Sequence, residues 1–257
     1  MAHPVMTTAA NNLTSPVVLV TGGGKRVGAA IVQRLHREGW RVAIHYRASA
    51  EAALALASTL NDIRADSALT FATDLLDLEA LPKLVLQVVA KFGQLNALVN
   101  NASAFYPTLM GTVTVDDWTQ LVGSNLQAPL FLSQAAAPHL RRTRGSIVNI
   151  TDIHAERPMA GYVVYNIAKA GLRGLTAALA RDLAPEIRVN AVAPGPIEWP
   201  DDGQISEAEK SRILDHVPLK REGGAAQIAE AVKYLVCDAD FVTGQTINVD
   251  GGRSIAL

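Results

Sequence analysis

Cysteine occurs once, at Cys237, so no internal disulfide can form, and no CxxC motif or Cys/His cluster surrounds it. It reads as a small hydrophobe at the end of a core helix. His3, His36, His45, His139, His154 and His216 lack the spacing of metal ligands, and no metal site is expected. A sizeable excess of charge of one sign is missing too: 23 Lys and Arg stand against 24 Asp and Glu. A net charge of −1 offers no electrostatic footprint for nucleic acid or an anionic membrane, which leaves a small molecule as the expected ligand. No apolar run approaches the roughly 18 residues of a membrane helix. Residues 1–15 have neither the basic start nor the apolar centre of a signal peptide. They are expected to form a flexible tail ahead of a single domain at 16–257, in a cytoplasmic protein.

What is present is apolar material: 49% of 257 residues, enough for one large α/β core. Short β-branched runs at 17–21, 41–45, 68–73, 97–100, 146–150, 188–192 and 246–249 alternate with helical patterns. The helices fall at 26–38, 50–63, 79–92, 115–141, 162–184 and 225–237. Such alternation predicts βαβ crossovers, hence a parallel sheet with helices on both faces. Two loops are longer than usual, 101–113 and 194–207. In a doubly wound sheet both leave strand ends where ligands bind. The second, with Trp199, Pro200, Asp201 and Asp202, is either a substrate lid or a loose surface loop.

The first strand runs into Gly22-Gly23-Gly24-Lys25-Arg26-Val27-Gly28 and then a helix. Glycines there let the backbone approach a pyrophosphate at the helix N-terminus, although Val27 takes the third glycine's place in GxGxxG and an ordinary strand–turn–helix joint would look similar. The second strand ends in His45-Tyr46-Arg47, where an NAD site would carry a carboxylate. With Lys25 and Arg26 nearby, these donors suit a 2′-phosphate and hence NADPH/NADP+, unless Arg47 merely caps a solvated helix. Tyr165 and Lys169 lie four apart, on one helix face. A free phenol has a pKa near ~10, and a neighbouring ammonium would lower it toward a working range. Such a pair also arises by chance.

Thr21-Gly22, Asn100-Asn101-Ala102, Tyr165-xxx-Lys169, Pro194-Gly195 and Thr243-Gly244…Asp250-Gly251-Gly252 occur in one order and spacing. In these the chain resembles the short-chain dehydrogenase/reductase family over residues 17–253. The resemblance implies a single Rossmann-type domain with a seven-stranded parallel sheet, assembled as a homotetramer through helices 115–141 and 162–184. It also implies that Asn101, Ala102, Pro194 and Gly195 border the cofactor, and that Asp74 bonds the adenine edge with Leu75 beside it. Asn125 would hold a water for proton relay, and Lys169 would bond the nicotinamide ribose.

Two departures from the general family point one way. Asp152 stands where most members have serine, thirteen residues before the tyrosine, and Arg26 replaces a glycine. Together with Asn101-Ala102-Ser103-Ala104-Phe105-Tyr106-Pro107, they resemble the pteridine reductase branch. That resemblance implies NADPH-dependent hydride transfer to a C=N bond of a dihydropterin or dihydrofolate-type ring, with NADPH binding first. Asp152 beside Tyr165 would relay the proton or bond the pterin's amino group. Phe105 would stack on the ring, and Arg26 and Ser103 would bond its polar edge. Blander readings stand beside these: Phe105 as a loop anchor, Asp152 as a helix cap, Tyr162 as packing rather than lining, His154 as a plain loop residue. Carbonyl reduction of a ketone, sugar or acyl thioester is the alternative activity, and a non-catalytic NADP(H) sensor the remaining one.

Overall fold

A computed structural model describes residues 15–197 and 206–256. Seven parallel strands form one sheet: β1 (Val17–Val20), β2 (Arg41–Tyr46), β3 (Ala68–Ala72), β4 (Ala97–Asn100), β5 (Ser146–Ile150), β6 (Arg188–Pro194) and β7 (Thr246–Val249), in the order 3-2-1-4-5-6-7. β1 pairs with both β2 and β4, so the direction of sheet growth reverses beside it and opens a crevice at the carboxyl edge.

The strand pleat divides the core. Val18 and Val20 face one side, where α1 (Arg26–Arg37), α2 (Ala50–Ile63) and α8 (Ala225–Lys233) pack with Ile31, Leu35, Leu56, Ile228 and Val232. Val17 and Leu19 face the other, against Leu81, Leu84 and Val88 of α3 (Ala80–Phe92) and Leu132 and Leu140 of α5 (Ala128–Thr143). Each such fully buried side chain contributes roughly 1.5–3 kcal/mol. This is the doubly wound single domain expected from the alternating pattern.

Four expectations change. The helix anticipated over 115–141 is two helices, α4 (Val115–Val122) and α5, joined by one π-turn at Gly123–Gln127. A π-turn accommodates one extra residue and re-aims its neighbours, here turning Asn125 fully inward. A Cβ on Gly123 would lie 2.5 Å from Leu76 Cδ2, so a larger residue there would make the end of that side chain move. α8 likewise runs into a π-turn, Tyr234–Asp238, that gives the core positions to Leu235 and Val236; Cys237 is exposed rather than buried. α7 (Glu207–Asp215), capped by the Ser206 hydroxyl, has no buried residue and therefore no apolar stripe for the pattern to reveal. α6 (Val163–Asp182) and α9 (Arg253–Ala256) complete the domain. The tail at 1–14 and positions 198–205 of the lid candidate, including Trp199, Pro200, Asp201 and Asp202, lie outside the described residues. No helix among the described residues is long and apolar enough to cross a membrane.

Candidate active site

A cleft of about 560 Å³ follows the crevice at the carboxyl edge. At one end the Thr21 hydroxyl accepts from the backbone N–H groups of Asn101 (2.9 Å) and Ala102 (3.0 Å). The Asn101 amide donates to the carbonyls of Thr21 (2.9 Å) and Gly22 (3.2 Å). These bonds join β1 to β4 across the reversal point. Gly22 has φ +60°, and a Cβ on Gly28 would sit 2.1 Å from the Gly22 carbonyl oxygen, so only glycine lets α1 start so close to the turn. The first turn of α1 carries no acidic residue and no side-chain cap. Its N–H groups thus suit a pyrophosphate, and Lys25, Arg26, Val27 and Arg47 line the same wall. Asp74, Leu75, Pro194 and Gly195 line it as well. Asp74 spends one oxygen on the Leu76 N–H (3.0 Å). The donor set fits a dinucleotide.

His45 has a different place from the one expected. Its Nδ1 accepts from the Gly22 N–H (3.1 Å) and its Nε2–H donates to the Thr73 carbonyl (3.0 Å). Both ring nitrogens are therefore engaged, and burial lowers its pKa, so it braces the turn as a neutral imidazole instead of meeting a phosphate. Tyr46 is half-buried against the core, outside the cleft lining.

At the other end, α6 enters at Tyr165 and Lys169 beside the end of β5. Thr108 fixes that entry: its hydroxyl accepts from the Val164 N–H (3.2 Å), and its N–H donates to the Gly161 carbonyl (2.7 Å). The Tyr165 hydroxyl donates to Asp152 Oδ2 at 2.7 Å, while Asp152 Oδ1 accepts from the His154 N–H at 2.8 Å. Asp152 thus caps a short turn with one oxygen and holds the phenol with the other. Lys169 Nζ donates to the Ile150 carbonyl (2.9 Å) and lies 5.7 Å from the Tyr165 ring centre.

The electrostatics reverse one expectation. Burial first, and the Asp152 carboxylate second, hold the Tyr165 phenol well above its ordinary value, so the phenol is not poised near neutrality. Burial pushes Lys169 down to about 8, with Asp152 opposing the shift.

Asn125 lies behind the wall. Its Nδ2 donates to the carbonyls of Ala104 and Leu121 (both 2.9 Å), and its Oδ1 accepts from the Ser103 hydroxyl (2.6 Å). The side chain therefore ties the 101–113 loop to the π-turn, with both amide protons spent and one lone pair of its Oδ1 taken. Ser103, having donated its proton, can meet a ligand only as an acceptor. Phe105 lines the cleft, 44% exposed, with Tyr162 stacked on it at 4.8 Å and Tyr165 edge-on at 4.9 Å. Sequence reasoning missed Arg253, Met159 and Ile213, which also line this end. The cation immediately after Asp250-Gly251-Gly252 was the available signal for the first.

The family model described as enoyl-(acyl carrier protein) reductase, a short-chain dehydrogenase/reductase model, matches residues 24–254. Pteridine reductase 1 of Leishmania tarentolae is 38% identical, over 94% of this chain and 97% of its own. The 3-oxoacyl-(acyl-carrier-protein) reductase FabG of Staphylococcus aureus is 36% identical, over 91% and 96%. That of Staphylococcus epidermidis is 35% identical, over 91% and 97%. With this match, and with relatives of this identity spanning most of its length, the chain belongs to the short-chain dehydrogenase/reductase family, oxidoreductases whose reductases use nicotinamide cofactors.

Proposed function

We propose that the protein is an NADPH-dependent pteridine reductase, adding hydride and a proton across a C=N bond of a dihydropterin or dihydrofolate-type ring. The 2.7 Å bond between Tyr165 and Asp152 carries the reading. Reduction of a ketone needs a group that welcomes a developing oxyanion, and a carboxylate at that point repels one. An imine nitrogen instead needs a proton donor as the adjacent carbon is reduced. Tyr165, with its pKa raised, stays a phenol at neutral pH and keeps a proton at its Oη to give. Asp152 can accept an N–H of the pterin once the phenol turns to the ring.

NADPH, when bound, supplies the hydride. Lys169 is mostly an ammonium at pH 7, given its value of about 8, and offsets the negative charge left on Tyr165 after proton release. Phe105, backed by Tyr162, offers a flat apolar surface to one face of the heterocycle. Ser103 accepts from the ring's polar edge, and Arg26, which lines the same cleft, donates to it. Lys25 and Arg47, with no carboxylate ending β2, favour the 2′-phosphorylated cofactor.

Carbonyl reduction remains the second reading, favoured by the oxoacyl reductase relatives at 36% identity. The test follows NADPH oxidation with dihydrobiopterin and dihydrofolate against a ketone and acyl-thioester panel. Turnover of the pterins alone is expected, with a loss of about 10²-fold or more in kcat for Asp152→Asn. Turnover of ketones alone, or full activity in Asp152→Asn, would overturn the proposal. Any pterin-dependent turnover excludes a purely sensing role.

A further inference from the structure

Arg253 enters the cleft from the turn that closes the chain. Both oxygens of Asp250 are spent on that turn, accepting from the N–H groups of Gly252 (2.9 Å) and Ser254 (2.7 Å). Gly251 (φ +64°) and Gly252 (φ +88°) are left-handed. A Cβ on either would strike Val217 at 2.7 Å or Pro218 at 2.9 Å, in the segment after α7. On the other side, a Cβ on Gly195 would meet Asp250 Cβ at 2.5 Å. The turn is wedged between the cofactor wall and the end of α7, and it delivers Arg253 to the wall shared with Asp152, His154, Met159 and Ile213.

Among the described residues this guanidinium makes no ion pair, and its Nε is buried without an acceptor. The nearby carboxylates are otherwise engaged. Asp152 serves Tyr165 and His154, and Asp250 holds its turn. A cation placed on a rigid turn, partly desolvated and left unpaired costs stability, and an anionic ligand removes that cost.

We propose that Arg253 is a specificity-determining residue that receives an anionic group, foremost a carboxylate, on the side chain of the substrate. Carboxylate-bearing dihydropterins such as dihydrofolate are then favoured over dihydropterins with neutral side chains such as dihydrobiopterin. This rests on the pteridine reductase reading.

The test measures kcat/KM of the full chain for both substrates in wild type, Arg253→Met and Arg253→Lys. The ratio of the two constants cancels any loss of folded or cofactor-loaded enzyme. In Arg253→Met the dihydrofolate-to-dihydrobiopterin ratio is expected to fall about 10-fold or more, through KM, the scale of one charge-assisted bond. Arg253→Lys should recover at least half of that loss on a logarithmic scale. Should Arg253→Met not fold, Arg253→Gln is read in its place. A ratio within about threefold of wild type, or no recovery with lysine, overturns the assignment while the activity itself stands. Wild type that reduces neither pterin overturns the parent reading and this inference with it.

Discussion

The two ends of the cleft are built on opposite plans. At the dinucleotide end Thr21, Asn101 and His45 are already bonded to other parts of the protein. Each such bond contributes only about 0.5–1.5 kcal/mol to stability, but together they set the turn before any ligand arrives. At the reacting end the groups are bonded in ways a ligand can exchange. Tyr165 lends its proton to Asp152, Phe105 rests on Tyr162, and Arg253 has no ion-pair partner among the described residues. A site that serves one invariant ligand can be organised at folding. A site that must transfer a proton and choose among substrates has to keep some of its bonding capacity uncommitted.

Removal of the phenol gives the largest effect expected from this contrast. Tyr165→Phe should lower kcat by about 10²–10⁴, while NADPH affinity, read by cofactor fluorescence, changes by no more than about threefold. Comparable losses in both would erase the distinction between the ends. A charge reversal at the other end should do the converse. Arg47→Glu is expected to shift the ratio of kcat/KM for NADPH over NADH by roughly 10–100-fold toward NADH with kcat little altered. An unmoved cofactor preference would take Arg47 out of the dinucleotide site.

The smallest effect is a titration. Lys169 falls from 10.5 to about 8 on burial, so its ammonium loses its proton above that pH. An alkaline decline in kcat/KM centred near pH 8 should follow, and Lys169→Arg should displace it beyond pH 10. Unfolding through this lysine cannot imitate the decline. Between about 8 and 10.5 the unfolded chain binds more protons at Lys169 than the folded one, so this group's contribution to stability rises with pH. A flat profile through pH 9 would show that the ammonium is dispensable.

The strands were legible because each is a short β-branched run, and six helical stretches because each carries an apolar stripe. α7 carries none, so nothing in its pattern announced it. The π-turn at Gly123–Gln127 leaves no periodic signature strong enough to separate from a continuous helix, yet it turns Asn125 inward. The Tyr165 and Lys169 spacing placed both on one helix face, but the direction in which Tyr165 is shifted depends on a carboxylate thirteen residues earlier and on burial. By its sequence position Asp152 reads as a cap or as a partner of Tyr165. In space one oxygen caps the turn at His154 and the other accepts from the Tyr165 hydroxyl.

Local order of residues settled the succession of elements, the glycine turn and the identity of the groups available for chemistry, since periodicity, left-handed glycines and side-chain type are properties of neighbours along the chain. Which of those groups meet, which are already occupied and which carry charge arose from packing. His45 became a brace and Arg253 a cleft residue because hydrogen-bond partners and burial are set between segments 23 to more than 100 residues apart. No linear spacing records that.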